Sequence, residues 1–451
     1  MQNEFIEKVK QKYGGKKIYY ILTMGCQLNE NDSEKLAGML ESMGYKPTKN
    51  IEDADVIVIN TCCIRENAEE KVFGKLGELK KLKLTNNIII AIGGCMMQEK
   101  EMRNKIKQSY PYVDIIFGTH TLHKFPEDLY YVLSNKEKIQ DVLEIDGEIH
   151  EELPIKRNNT KQASVTIMYG CNNFCSYCIV PYVRGRERSR RPEDIIKEIK
   201  DLAEKGYIEI TLLGQNVNSY RGKENYGFAE LLNDINSIEG IKRIRFISPH
   251  PKDFTDDVIK AIKNGENICK LIHLPLQSGS SNVLKAMNRN YTKEQYLSLV
   301  EKIKNNIPNA TFSTDIIVGF PGETEKDFED TLDIVKKVNF EQIYMFIYSR
   351  RHGTRADKME NQIPEEVKHE RFNRLKNLFE HNISKNNQKY IGTIQDILVE
   401  GTSKNNANIY TGRTQSNKVV NFEGNKEWIG QLKKIKIIAE HTWYLEGKID
   451  E

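Results

Sequence analysis

Short apolar runs alternate with amphipathic segments along two long stretches of this chain, and this alternation constrains its fold more than any other feature. In the first stretch, residues 17–119, the runs at 56–59 and 88–90 are continuously apolar, as strands are when helices cover both faces of a sheet. The pattern therefore predicts an open parallel α/β sheet in the N-terminal part of the chain. The predicted strands are 17–24, 55–60, 87–92 and 113–117, and the predicted helices are 32–43 and 66–83.

The second stretch, residues 163–348, repeats the same alternation six times. Its predicted strands are 164–169, 208–213, 243–247, 271–276, 313–318 and 342–348, with helices such as 192–205, 296–305 and 326–338 between them. A complete barrel of this kind needs eight repeats, so six repeats predict a partial (β/α)6 barrel. Its chemistry is expected beyond the carboxyl ends of the strands.

The remainder of the chain changes its period. Residues 364–390 have the pattern of a long polar helix, and residues 394–447 alternate like strands with glycines between them. A small antiparallel β-barrel of about five strands, of the kind that binds oligonucleotides, fits this length, and a barrel with a purely structural role is the alternative. We expect an N-terminal domain at 15–125, a linker at 126–160, a core with its trailing helix at 161–390 and a C-terminal barrel at 391–451.

Three cysteines follow the first predicted strand of the partial barrel at spacings of four and three: Cys171, Cys175 and Cys178. Three thiolates so close in sequence can face one metal centre, yet they leave a tetrahedral site or a four-iron cube one ligand short. Structural sites usually have four protein ligands. The stretch therefore predicts a reactive metal centre whose remaining position is filled by something other than protein.

Three further cysteines each follow a predicted strand of the N-terminal sheet: Cys26, Cys62 and Cys95. Because the loops beyond the carboxyl ends of parallel strands converge on one crevice, the three thiols are expected to meet there. Three unrelated buried cysteines are the alternative, since free cysteine is common at buried positions. Cys63 leaves the ligand assignment open, because a strand-end loop could offer either of two neighbouring thiols.

Polar and glycine-rich segments follow the other strands of the partial barrel, at 214–216, 248–250, 277–279 and 319–323. Each segment is a weak signal alone, because strand-to-helix turns favour glycine and a carboxylate near a helix start can simply match the helix dipole. We interpret His250 and His273 as structural histidines. Together the segments predict a polar rim at one end of the partial barrel.

Five arginines among residues 184–191 form the densest charged patch, directly after the cysteine stretch. The net charge of the chain is +3, which is close to neutral for 451 residues, so any contact with nucleic acid must come from such local patches. A solvated surface is the alternative for an arginine run. The position of this run beside the predicted metal centre favours contact with phosphate or substrate.

Composition and chain start bear on the compartment. Hydrophobic residues make up 39% and charged residues 29%, proportions typical of a soluble globular protein. Residues 1–17 are charged and lack the apolar centre of a secretory signal, and no run approaches the roughly 18–20 apolar residues of a membrane span. We therefore expect a cytoplasmic protein without membrane contact. In that reducing compartment its eight cysteines indicate metal ligands or reactive thiols before disulfides.

The motifs together resemble the radical S-adenosylmethionine (SAM) methylthiotransferase family. The stretch from Cys171 to Cys178, with an aromatic residue at Tyr177, is similar to the cluster motif of radical SAM enzymes, and the three earlier cysteines are similar to those of the methylthiotransferase N-terminal domain. The resemblance extends from about residue 17 to about residue 447. The matching strings are GCQLNE at 25–30, NTC at 60–62, YGCNNFCSYC at 169–178, GQNVNSY at 214–220 and GRT at 412–414.

The resemblance implies two 4Fe-4S clusters and two SAM molecules per turnover, one cleaved to a radical and one methylating a cluster-borne sulfur. It also favours Cys62 over Cys63, because the family ligand directly follows Asn-Thr. The implied cluster ligands are Cys171, Cys175 and Cys178 for the first cluster and Cys26, Cys62 and Cys95 for the second. The residues expected to hold SAM are Tyr177, Gln215, Asn216, Gln277, Ser278, Gly319, Gly322 and Glu323.

The implied reaction adds a methylthio group to carbon 2 of N6-isopentenyladenosine, next to the anticodon of tRNA. A C-terminal TRAM module would bind the tRNA, and the side chains expected to contact it are Arg184, Arg186, Arg188 and Arg413. A one-electron reductant such as flavodoxin or ferredoxin is also expected, and the chain is expected to act as a monomer.

Two other functions fit parts of the pattern. A related enzyme could methylthiolate a ribosomal protein aspartate or threonylcarbamoyladenosine, although Gln27 and the string NVNSY at 216–220 weigh against both. A protein of a different class, a non-catalytic RNA-binding protein with structural zinc sites, would also use clustered cysteines. Its metal content would distinguish it from an iron–sulfur enzyme.

Overall fold

The structure is a computed structural model, and it describes residues 2–63, 66–144, 147–403 and 406–450. The helices are α1 Gln2–Tyr13, α2 Gln27–Ser42, α3 Glu66–Thr85, α4 Lys100–Ser109, α5 Phe125–Asn135, α6 Val180–Val183, α7 Pro192–Glu204, α8 Phe228–Asn236, α9 Asp256–Asn264, α10 Ser281–Ala286, α11 Lys293–Asn306, α12 Glu325–Val338 and α13 Glu365–Gln388. The strands are β1 Ile18–Thr23, β2 Lys46–Pro47, β3 Val56–Thr61, β4 Ile89–Gly94, β5 Ile115–Phe117, β6 Ile139–Asp141, β7 Gln162–Thr166, β8 Met168–Tyr169, β9 Arg188–Ser189, β10 Glu209–Leu213, β11 Arg243–Phe246, β12 Leu271–His273, β13 Thr311–Val318, β14 Gln342–Ile347, β15 Ile394–Ser403, β16 Asn406–Arg413, β17 Val419–Glu423, β18 Leu432–Glu440 and β19 Leu445–Ile449.

The N-terminal domain is built on a sheet of six parallel strands in the order β2-β1-β3-β4-β5-β6. Its central strand β3 is buried along its whole length, because Val56 and Val58 pack into the apolar cluster on one face while Ile57 and Ile59 pack into the cluster on the other. Side chains of successive strand residues point to opposite faces, so a strand covered on both sides must be apolar throughout.

The segment predicted as a linker, 126–160, is partly folded into this domain. Helix α5 begins at Phe125, so the predicted boundary at 125 falls inside a helix, and β6 pairs with β5 as the edge strand of the sheet. A three-residue edge strand carries too little apolar periodicity to be recognised in the sequence. Residues 147–160, which we call the strap, then cross to the core, and Lys156 N donates to Glu34 O of α2 at 2.9 Å.

The core contains six longer strands in two three-stranded parallel sheets, β11-β10-β7 and β12-β13-β14. A single parallel bridge between Ile244 and Ile268 lies between them, and one apolar cluster extends beneath both. Strand β12 ends at His273, three residues before the predicted end, and Pro275 has no N–H to donate to a ladder. Helix α12 begins where the sequence provides a cap, since Thr324 Oγ1 accepts from Asp327 N.

The C-terminal barrel is closed, with strand order β15-β16-β17-β19-β18, and this confirms the predicted small barrel of five strands. Four of its pairings are antiparallel as predicted, whereas β17 and β19 pair in parallel. It docks on the core through Arg243, whose guanidinium donates to Arg413 O at 2.8 Å and to Asp396 O at 2.6 Å. Arg243 is the first residue of β11, and a second link, Lys418 to Glu341 at 2.5 Å, lies just before β14. The barrel therefore sits at the end of the core strands opposite the end that the cysteines follow. None of the described helices is long and apolar enough to span a membrane.

Candidate metal centres

The first group of cysteines, Cys26, Cys62 and Cys95, lies at the carboxyl ends of β1, β3 and β4, and we call it the N-domain triad. Cys26 is the residue before α2, and Cys62 and Cys95 are buried. Gly25 has a φ of +112°, and a Cβ on it would lie 2.7 Å from Cys62 Sγ. Only glycine fits this approach, so the turn that presents Cys26 is pressed against Cys62.

Asn29 joins the loops of this triad. Its Nδ2 donates to Met24 O at 2.8 Å and to Thr61 O at 2.7 Å, so one side chain links the ends of β1 and β3. Its Oδ1 lies 3.8 Å from Cys26 Sγ and 3.8 Å from Cys95 Sγ. A single buried amide therefore contacts two of the three thiols and the backbone next to the third.

A buried arginine from the core completes the polar surroundings of this triad. Arg184 Nε donates to Cys95 Sγ at 3.1 Å, and Nη2 donates to Asn29 Oδ1 at 2.7 Å. A hydrogen bond from Cys63 and the Arg184 charge lower the pKa of Cys95 to about 6, although burial acts in the opposite direction. The Cys95 thiolate, the form that binds metal, is therefore favoured near neutral pH.

Cys62 and Cys63 occupy different places. Cys62 lies against the Gly25 turn, whereas Cys63 hydrogen-bonds to Cys95 and packs with Ile179 and Val183 of the core. The hydrogen bond to Cys95 and burial raise the pKa of Cys63 well above its usual value. Both thiols lie at the crevice, so the family-based preference for Cys62 stays a prediction.

The second group, Cys171, Cys175 and Cys178, forms the loop that follows β8, and we call it the core triad. Gly170 enters this loop with a φ of +77°, where a Cβ would lie 2.0 Å from Arg186 O. Phe174 also has a positive φ, of 45°, which costs energy for a residue with a bulky side chain. Asn288 Nδ2 donates to Asn173 O and Phe174 O, both at 3.0 Å, and so fixes this turn.

Two thiols of the core triad, Cys171 and Cys178, are protonated more readily than Cys95. Burial raises the pKa of Cys171 to about 11 and that of Cys178 to about 12. Arg289 Nη1 lies 3.7 Å from Cys175 Sγ as a donor, and the guanidinium is held by Pro275 O at 2.7 Å. Each triad therefore has one buried arginine that donates to one of its thiols.

The donor chemistry of both triads fits iron–sulfur clusters, because thiolates are the ligands that hold such clusters. Among the described residues, no three His, Cys, Asp or Glu side chains converge as they would around one metal ion. In a four-iron cube each thiolate binds a different iron. Two buried polar atoms at the rim, Asn216 Oδ1 and His250 Nε2, lack partners within the described part of the chain, which fits a polar ligand such as SAM.

The rim residues expected to hold SAM are largely engaged in protein contacts. Gln215 accepts from Gly170 N, and Glu323 accepts from Gly319 N at 2.7 Å and pairs with Arg371 at 2.8 Å.

The other rim residues are also held by the protein. Asn216 donates to Glu187 and Asp253, Ser278 is fully buried, and Gln277 has a φ of 69°. A Cβ on Gly322 would meet Asn361. Tyr177 packs against a buried apolar cluster that contains Phe320 and Tyr348. These contacts support the rim, and direct contact with SAM stays a prediction.

The arginines expected to contact tRNA separate into buried and exposed ones. Arg184 is 4% exposed, and this burial contradicts the predicted phosphate contact because all of its terminal nitrogens bond inside the protein. Arg188 donates to Arg184 O at 3.0 Å and to Gly147 O. Arg186 is exposed and lies over the Phe174 ring, and Arg413 pairs with Glu400 at 3.3 Å. Contact of these last three with tRNA stays a prediction.

Sequence reasoning missed the polar side chains that surround the thiols. Asn29 and Asp32 lie three and six residues after Cys26, the residue that precedes α2. Because residues three apart lie on the same face of a helix, this spacing could have indicated that both side chains lie near Cys26. Asn288 and Arg289 lie more than a hundred residues from the loop they hold, and no local pattern marks them. His250 accepts from Lys252 N through Nδ1, in keeping with a structural role.

Comparison with known proteins divides the chain into three family regions. Residues 165–335 match the Radical SAM superfamily, residues 18–118 match an uncharacterized protein family, UPF0004, and residues 388–449 match the TRAM domain. The three matches fall on the N-terminal sheet, the core and the closed barrel, although the match to the sheet ends before β6 and the match to the core ends before β14.

Several relatives that match the whole chain share a name. A tRNA-2-methylthio-N(6)-dimethylallyladenosine synthase of Clostridium botulinum (strain Alaska E43 / Type E3) is 56% identical over 452 residues, covering 99% of each chain. A protein of the same name from Acetivibrio thermocellus is 54% identical, covering 99% of this chain and 95% of the relative. Among solved structures, the radical SAM methyltransferase TsrM of Kitasatospora setae has a TM-score of 0.56 at 12% identity, covering 76% and 77% of the two chains. That likeness concerns the fold alone.

Proposed function

The chain belongs to the tRNA-2-methylthio-N(6)-dimethylallyladenosine synthases, a family of radical SAM enzymes, and from this premise we propose that each of its cysteine triads holds one 4Fe-4S cluster. The enzyme is a tRNA methylthiotransferase, which adds a methylthio group to carbon 2 of N6-isopentenyladenosine. The observation that carries the two-cluster proposal is the paired environment: three thiols and one buried arginine donor in each triad. We assign Cys171, Cys175 and Cys178 to one cluster and Cys26, Cys62 and Cys95 to the other.

Clusters bound there would supply an open iron for SAM at the core triad and a place for the transferred sulfur at the N-domain triad. The chain's own residues would position and shield them. Asn288 and Arg289 hold the core loop, Asn29 holds the strand ends of the N-domain triad, and Ile179 and Val183 cover Cys95 from the core side. Apolar cover of this kind excludes water from the thiolates.

The remaining parts of the proposal concern ligands and partners. Tyr177, Gln215, Asn216 and Gln277 are proposed to place SAM at the two three-stranded sheets of the core. We propose that these two sheets together form a partial (β/α)6 barrel. Because the TRAM barrel docks at the opposite end of the core strands, we propose that Arg413 contacts tRNA away from the reacting adenine. We also propose a flavodoxin or ferredoxin as reductant, a monomeric enzyme, two SAM molecules per turnover and a cytoplasmic location.

Nucleoside mass spectrometry tests the substrate. In a strain lacking this gene, tRNA should contain N6-isopentenyladenosine without its 2-methylthio form, and the restored gene should return the product. Loss of a methylthiolated threonylcarbamoyladenosine or of a ribosomal protein modification instead would support the related enzymes. Metal analysis tests the centres: anaerobically purified protein should contain about eight iron and about eight sulfide per chain, whereas zinc without sulfide would refute the clusters.

A further inference from the structure

The side chain of Arg184 passes from the core into the N-terminal domain, where it meets the N-domain triad. We infer that Arg184 is a positioning residue. It holds Cys95 in place and fixes the position of the N-domain triad relative to the core triad across the domain interface. The inference rests on the proposed function for the identity of the group that the N-domain triad binds. It assigns to Arg184 a role that the arginine run in the sequence did not indicate.

Three contacts place the guanidinium. Nε donates to Cys95 Sγ at 3.1 Å, Nη2 donates to Asn29 Oδ1 at 2.7 Å, and Nη1 pairs with Asp32 Oδ2 at 2.7 Å. Asn29 and Asp32 both belong to α2, and Asn29 Oδ1 also lies 3.8 Å from Cys26 Sγ. One side chain of the core therefore orients one thiol directly and a second thiol through an amide.

The backbone next to Arg184 holds the other triad. Gly185 O accepts from Cys171 N at 3.1 Å, so two successive residues contact one cysteine of each triad. Arg184 itself ends the short helix α6, and its N–H donates to Val180 O at 2.8 Å. Val183 of this helix packs with Cys63 and Cys95. The segment 179–185 thus forms a short rigid connection between the two proposed clusters.

The chemistry of the pocket requires arginine. A buried cation must be compensated, and Arg184 is compensated by Asp32, itself 5% exposed, and by the Cys95 sulfur. Lysine would keep the charge, but its single ammonium cannot direct three planar donors to a thiolate, an amide and a carboxylate at once. Glutamine would remove the charge and leave the buried Asp32 without its ion-pair partner.

A hydrogen bond and a positive charge at a ligand sulfur alter the cluster that the sulfur holds. Both stabilise the more reduced, more negative state of the cluster, so their loss should shift its reduction potential to a more negative value. Substitution of a residue that hydrogen-bonds to a metal ligand typically lowers metal affinity or activity about 10- to 100-fold. Because Arg289 supplies the equivalent donor to Cys175, the cluster of the core triad should be unaffected.

The experiment compares full-length wild type, Arg184→Gln, Arg184→Lys and the control Arg374→Gln after anaerobic cluster reconstitution. Arg374 is an arginine in a surface ion-pair network between α12 and α13, and its ion-pair partners belong to neither triad. Three readouts are taken: the rate of iron release to a chelator, the potential of each cluster by redox titration with electron paramagnetic resonance, and the ratio of methylthiolated tRNA to cleaved SAM.

We expect Arg184→Gln to release about half of its iron, that of the N-domain triad, about tenfold faster than the wild type or more. The reduction potential of this cluster alone should become more negative. The ratio of methylthiolated tRNA to cleaved SAM should fall about 10- to 100-fold. SAM cleavage should stay within about twofold of wild type, and Arg184→Lys should recover part of the product ratio. Arg374→Gln should match wild type in all readouts. A purely structural role would not shift one potential selectively.

Asp32→Asn provides a second route if Arg184→Gln folds poorly, because it weakens the hold on Arg184 without removing it. It should move the same potential in the same direction by a smaller amount. The inference would be overturned if the wild-type protein carries two clusters and both Arg184→Gln and Asp32→Asn have the same cluster potentials and the same rate of iron release as the wild type. A wild type that carries only one cluster would instead overturn the proposed function.

Discussion

The two cysteine triads of this enzyme are assembled in opposite ways. The core triad lies within eight residues of one loop, and its arginine, Arg289, comes from the same domain. The N-domain triad is gathered from three strand ends between residues 26 and 95, and its arginine, Arg184, comes from a different domain. A local site needs only its loop to be formed, whereas the assembled site needs a complete sheet and a docked interface. The assembled site should therefore be the more sensitive to changes elsewhere in the molecule.

The largest expected effect separates the roles of the two triads. Cys171→Ala should lower both SAM cleavage and methylthiolation to background, because the proposed open iron is lost. Cys26→Ala should lower methylthiolation to background while SAM cleavage stays within about threefold of wild type. Both activities are measured in one anaerobic assay, by chromatography of 5′-deoxyadenosine and mass spectrometry of tRNA nucleosides.

Cys269→Ala is the matched control, because Cys269 is a buried cysteine of the core that belongs to neither triad. It should retain both activities. Full methylthiolation by both Cys26→Ala and Cys171→Ala would show that neither triad holds a cluster that the reaction requires.

A smaller effect resolves the choice between neighbouring thiols in the assembled triad. Cys62→Ser should reduce iron from about eight to about four per chain, because a ligand of the second cluster is removed. Cys63→Ser should keep both clusters, since a serine hydroxyl can preserve the hydrogen bond to Cys95. Iron and acid-labile sulfide are measured on protein reconstituted in parallel. The opposite result, with iron lost only in Cys63→Ser, would assign the ligand role to Cys63.

The sequence was sufficient for the local triad and for the closed barrel, and less so for what depends on docking. Residues 171–178 carry their spacing within one loop, and the buried strand β3 is recognisable because both of its faces are apolar. Arg184 was misassigned because five arginines within eight residues resemble a phosphate-binding surface, and only the domain interface decides that Arg184 is buried. Arg289 is 114 residues from Cys175, a contact that no local pattern encodes.

The stability of the two sites should differ before any cluster binds. Asn29→Ala would remove the buried amide that donates to both Met24 O and Thr61 O, so we expect the free energy of unfolding of the cluster-free protein to fall by about 2 kcal/mol. Asn288→Ala removes donors from a single loop, and we expect about 1 kcal/mol. Urea denaturation followed by circular dichroism measures both variants. Equal losses would show that the assembled triad depends no more on its surroundings than the local one.

The smallest expected effect is a difference in the pH dependence of cluster assembly. Thiols bind iron as thiolates, so each ligand must lose its proton first. Burial raises the pKa of Cys171 to about 11 and of Cys178 to about 12, so between about pH 7 and about pH 9 their thiolate fractions increase about tenfold per pH unit. Cys95, whose pKa is lowered to about 6 by Cys63 and Arg184, is already largely ionised at about pH 7 and gains little. Burial raises the pKa of Cys26, so the N-domain triad retains some pH dependence.

We therefore expect iron uptake by the core triad to increase more steeply with pH than uptake by the N-domain triad. Two variants isolate the sites: one with Cys26, Cys62 and Cys95 changed to alanine, and one with Cys171, Cys175 and Cys178 changed to alanine. The initial rate of cluster formation is followed by absorbance in each variant across this pH range. If Arg184 is additionally changed to glutamine in the variant that keeps the N-domain triad, its pH dependence should become steeper, because Cys95 loses the cation that favours its thiolate. Parallel pH profiles for all three proteins would show that the arginine contacts do not distinguish the two sites.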